Sequence, residues 1–152
     1  MLEGSVDQYS IPQQEKQTSP ISMIAGTSVL ALLLPAAAIA LLELLDQIEF
    51  GGEFRWLISS MLFSLTIISI LLISGLYLIG FLKSNNLKMT SGIYLICLSV
   101  LNLFMRMSNL NYDREMWWGG GSWFEFLQLV WVHEQLELAL LGIIIGALIM
   151  KK

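Results

Sequence analysis

Between Arg55 and Lys83 the chain runs from Trp56 to Leu82 without a charged residue, and no other feature restricts its fold as strongly. At ~1.5 Å per residue, such a run crosses the ~30 Å hydrocarbon core of a bilayer with length to spare. Three further apolar runs accompany it: Ile21 to Leu42, Met89 to Met105 between Lys88 and Arg106, and Phe126 to Met150. Composition agrees, with 56% hydrophobic and 13% charged residues and a mean hydropathy of +0.72. That balance excludes a disordered chain and argues against an ordinary soluble domain. Lipid offers backbone N–H and C=O groups no partner, and no segment alternates with period two. The runs are therefore read as helices rather than barrel strands.

The expected fold is an all-α integral membrane protein. Four transmembrane helices, over about 21–45, 56–82, 88–108 and 125–150, form an up-down bundle at 21–152, after a polar tail at 1–20. The third run is the shortest, and it spans only if Met107 and its neighbours extend it or the bilayer thins. The tail is acidic and long for a secretory leader. The small residues from Pro35 to Ala40 are accordingly read as part of an uncleaved first span. Pro35 should kink that span.

Orientation follows the lysines. Lys16, Lys83, Lys88, Lys151 and Lys152 fall on the side of the N-terminal tail, and Arg55, Arg106 and Arg114 on the other, which places both termini in the cytoplasm. Trp56, Trp117, Trp118, Trp123 and Trp131 gather at the opposite boundary as half of an aromatic belt. The stretch from Arg106 to Glu125, with three glycines between Trp118 and Ser122, reads as an outer loop lying in that interface.

Several function classes drop out. A net charge of −4, with eight basic residues in ones and twos, leaves no patch for nucleic acid. Cys97 is the one cysteine, so neither an internal disulfide nor dithiol chemistry is available. Haem held between two histidines is impossible with His133 alone. Nucleotide-binding, esterase and zinc-protease motifs are absent.

What remains is a cluster of ionisable groups. The fourth run carries His133, Glu134 and Glu137, and His133 and Glu137 share one helical face at i, i+4. Gly142 and Gly146 lie roughly opposite as a GxxxG that admits a close helix neighbour. At the same height the first span ends with Glu43 and Asp46, and Glu49 and Glu53 follow. Three chemistries compete for this group. It could pin the helices through ion pairs with Arg55, Arg106 and Arg114. It could hold a divalent metal through His133, Glu137 and Glu43 or Asp46. It could carry a proton or cation through Glu137 or Glu134. No catalytic residue and no cofactor is assigned.

The resulting expectation is a non-catalytic structural or accessory subunit of a larger membrane complex in the cell or plasma membrane, with respiratory or oxidative assemblies as the class considered. Its partners are the bilayer and other membrane subunits. The alternatives are a homodimeric ion or small-solute transporter using Glu137, and a carboxylate/His metal centre near the outer face.

Overall fold

The computed structural model describes residues 19–49, 51, 53–117 and 136–151. Among them all regular structure is helical: α1 (Pro20–Ala31), α2 (Leu33–Glu49), α3 (Phe54–Leu78), α4 (Asn85–Trp117) and α5 (Leu136–Met150). Three stretches are long and apolar enough to cross a membrane, namely Pro20–Glu49, Phe54–Leu78 and Asn85–Asn109. The described part of the fourth expected span, α5, has 15 residues. At ~1.5 Å each, that is less than a bilayer crossing. The preceding residues, 118–135, lie outside the described residues, and so does the tail at 1–18.

Local chemistry sets the helix ends. Pro20 opens α1 at a position whose N–H would be orphaned anyway, and the Ser19 side chain accepts from the Ser22 N–H at 3.1 Å. Leu32 breaks the path between α1 and α2, its N–H turning to the Val29 carbonyl at 3.2 Å. The break falls one turn ahead of Pro35, which has no N–H for the Ala31 carbonyl and whose ring crowds it. Gly51, at φ 65°, lies in the turn between α2 and α3. Beyond α3, Gly80 takes φ 78°, and Phe81 N–H donates to the Leu76 carbonyl at 3.0 Å while Gly80 N–H donates to Tyr77 at 3.1 Å. That pair of bonds is a Schellman motif, and it stops α3 before the apolar run itself ends. Ser84 then caps α4, accepting from Leu87 N–H at 3.1 Å.

α4 departs from expectation. It has 33 residues and continues through Arg106 to Trp117, so the first part of the stretch read as an outer loop is helical. No proline or glycine intervenes between Gly92 and Gly119, and nothing in that interval breaks a helix. The third run thus gains the length that its apolar residues alone lacked.

The core lies between α3, α4 and α5, where Ile70, Ile73, Leu82, Leu95 and Ile149 are buried and Leu76, Leu138 and Ile145 pack against them. α1 and α2 stand outside it against α3, and along both only Gly26 is buried. Two glycine crossings bring the helices close. Gly26 on α1 faces Gly75 and Ile79, and Gly146 on α5 faces Gly92 and Ile96 on α4. The Ser22 hydroxyl also donates to the Leu78 carbonyl, tying the start of α1 to the end of α3.

Candidate functional site

Where α2 ends and α3 begins, a polar cavity of about 360 Å³ opens between α2, α3 and α4. Glu43, Asp46 and Gln47 line it from α2 at i, i+3 and i+4, so a single helical face delivers all three. Trp56, Ser59, Ser60 and Phe63 line it from α3 with the same periodicity. Arg106 reaches it from α4, its guanidinium carbon 4.5 Å from the centroid of the Phe63 ring. A guanidinium over an aromatic face is attracted by the ring quadrupole, by ~0.5–2 kcal/mol depending on desolvation. Both charge signs therefore line one cavity: two carboxylates from α2 and a guanidinium from α4.

The cavity tops a longer polar stripe on α4. Ser99, Asn102, Arg106 and Asn109 stand at i, i+3, i+7 and i+10, on one side of the helix. Asn102 is 2% exposed and Asn109 1%, and Ser99 is fully buried. Among the described residues, the Ser99 hydroxyl, the Asn102 side-chain oxygen and both amide atoms of Asn109 have no hydrogen-bond partner. On α3, Ser59, which lines the cavity with Arg106, is 2% exposed and its hydroxyl is likewise unpartnered among the described residues. Each such group costs ~1–3 kcal/mol when left unsatisfied in an interior. A site that retains several has either a use for them or something to fill them.

Of the residues singled out from sequence, Glu43 and Asp46 come together with Arg106 at this cavity. Glu137 does not line it; it is exposed in the first turn of α5. Gly142 and Gly146 face α4, against Ser99 and against Gly92 with Ile96. His133 and Glu134 lie outside the described residues. Among the described residues, no three of His, Cys, Asp and Glu gather closely enough to share a metal ion. Gln47, Ser59, Asn102 and Asn109 escaped sequence reasoning, which followed formal charges. The signal that would have found the α4 pair is the three-and-four spacing of amides and hydroxyls through an apolar run.

Regular structure among the described residues is helical throughout, and three of those helices have the length and composition to cross a membrane, the marks of a helical membrane protein. Comparison with protein-family models, characterised proteins and solved structures finds no match that would narrow this further.

Proposed function

We propose that the chain is a non-catalytic structural or accessory subunit of a larger membrane protein complex, with four spans in an up-down bundle and both termini in the cytoplasm. One observation carries the reading: Glu137 is exposed on the side of α5 opposite Gly142 and Gly146, the face that α4 already occupies. With Lys151 marking the inner boundary, fourteen residues separate the two. That is ~21 Å along a ~30 Å core, so the carboxylate lies below the outer headgroups. Exposed to lipid there it would cost ~2–3 kcal/mol, and a neighbouring subunit offering a donor or counter-charge removes that cost. Respiratory or oxidative assemblies of the cell membrane remain the class considered.

The same exposed carboxylate supports a second reading, in which another copy of this chain covers it and Glu137 becomes the titrating group of a homodimeric ion or small-solute transporter. The two separate on purification. Extracted from native membranes in mild detergent, an accessory subunit migrates with different polypeptides, whereas a transporter of the second kind migrates as a dimer of itself. A stable lone monomer overturns both. The metal-centre reading requires His133 to join Glu137, and elemental analysis of chain prepared without chelator tests it directly.

A further inference from the structure

We propose that the cavity between α2, α3 and α4 seats a zwitterionic headgroup that carries a primary ammonium and a phosphate, supplied by an ethanolamine phospholipid of the surrounding bilayer. The inference goes beyond assembly and stands whether or not α5 docks another subunit.

Charge distribution is the first argument. Glu43 and Asp46 offer carboxylates from α2 and Arg106 a guanidinium from α4, with α3 between. A zwitterion can set its positive end beside the two acids while its negative end lies on the side of the arginine. Carboxylates take N–H donors, and guanidinium is the side chain whose planar fork matches phosphate oxygens.

A second, independent observation points to a ligand in the same place. Ser59 lines the cavity, is 2% exposed, and its hydroxyl has no hydrogen-bond partner among the described residues. The side-chain oxygen of Gln47, on the α2 wall, is also buried without a partner. A hydroxyl donor and an amide oxygen acceptor are the complements of a phosphate oxygen and an ammonium hydrogen. Neither is explained by the Glu43, Asp46 and Arg106 charges alone.

Location decides the source. Asp46 and Gln47 lie in the last turn of α2, and Trp56 and Ser59 within the first two turns of α3. Where spans end, lipid headgroups are the abundant zwitterions, and tryptophan is the residue that favours that depth. The volume, about 360 Å³, falls within the ~300–1,000 Å³ of small-ligand sites. Selectivity follows from the acids. A primary ammonium gives Glu43 and Asp46 hydrogen-bond donors, a quaternary ammonium gives none, and a glycerol headgroup leaves a net negative lipid against two carboxylates.

The test is native mass spectrometry of the full chain released from micelles that contain ethanolamine, choline and glycerol phospholipids with identical acyl chains in equal amounts. One ethanolamine lipid should be retained, preferred over the choline lipid by about tenfold, the discrimination expected of charge-assisted hydrogen bonds. The double variant Glu43→Gln, Asp46→Asn should bring the two lipids to parity. Both residues are exposed, so its helicity by circular dichroism should match the parent. Equal retention of all three lipids by the parent, or a preference that survives in a folded double variant, overturns the proposal. Free phosphoethanolamine binding as tightly as the lipid overturns the lipid source and assigns the cavity to a soluble zwitterion.

Discussion

Gly146 of α5 sits against the backbone of Gly92 of α4: a Cβ on Gly146 would stand 2.8 Å from the Gly92 carbonyl oxygen and 2.8 Å from Ile96 Cγ1. Real Cβ atoms do not approach backbone that closely, so any side chain there must push the helices apart. Gly142, one turn away, meets the Ser99 side chain instead.

The two glycines should therefore respond differently. Gly146→Ala separates backbones and is expected to cost ~1–3 kcal/mol by overpacking. Gly142→Ala must turn the Ser99 hydroxyl aside and presses on Ser99 Cβ and Ile70 Cδ1, but it meets no backbone and should cost less. Thermal unfolding of the two variants in detergent ranks them, with Ala147→Leu on the exposed side of α5 as the control. Equal midpoints for Gly142→Ala and Gly146→Ala would contradict the crossing described.

Asn109 offers a test of whether the polar stripe serves folding or function. It is 1% exposed and neither amide atom is hydrogen-bonded among the described residues. Asn109→Leu removes two unsatisfied groups at similar volume, and such replacements are neutral or stabilising, here by ~1–2 kcal/mol. A higher or unchanged midpoint is expected. A marked loss of stability would mean that the amide has a partner, such as a bound water, that holds the bundle together.

Pro35 gives a third test. If the Leu32 break is the consequence of the missing Pro35 N–H, then Pro35→Ala restores a donor for the Ala31 carbonyl, and α1 and α2 become one helix. Helix content by circular dichroism should rise slightly. The contact of Gly26 with Gly75 and Ile79 limits how far α1 can swing, so an accompanying fall in stability would place the kink among the features that α3 requires.

Sequence and structure agree where a property is summed over many residues and part where it rests on one. The apolar runs forecast α1 with α2, α3 and the first part of α4, because spanning length is a statement about twenty residues together. Helix ends were less legible. Charge placed the end of the second span at Lys83, whereas Gly80 in its left-handed conformation closes α3 at Leu78. The third span is expected to end near 108 because an arginine reads as the edge of lipid, yet a charge does not by itself end a helix, and α4 runs on through Arg106 to Trp117. The acids of the first span were legible as a group with Arg106, since all sit at one end of the bundle. Gln47, Ser59 and the two buried asparagines were not, because neutral polar side chains leave no trace in a charge map, and burial depends on which helix faces which.

Topology is the remaining prediction, and two exposed positions at opposite ends of α3 decide it. Glu53 precedes Phe54 and Ser84 follows the Schellman turn, and both are exposed. Lys83 and Lys88 flank the second of these ends, and Lys151 follows α5. Lysine is retained on the cytoplasmic side of membranes, so Ser84 should face inward and Glu53 outward. On a Cys97→Ser background, Glu53→Cys should react with a membrane-impermeant thiol reagent in intact cells, and Ser84→Cys should react only after lysis. A cysteine at Ser122 should follow Glu53. The bias is five lysines against three arginines, so replacing Lys83 and Lys88 together should yield a mixture of orientations, read as partial labelling at both sites. The opposite pattern in the parent would turn the bundle over. The cavity of Glu43, Asp46 and Arg106 would then open to the cytoplasmic leaflet, and the headgroup it receives would have to come from there.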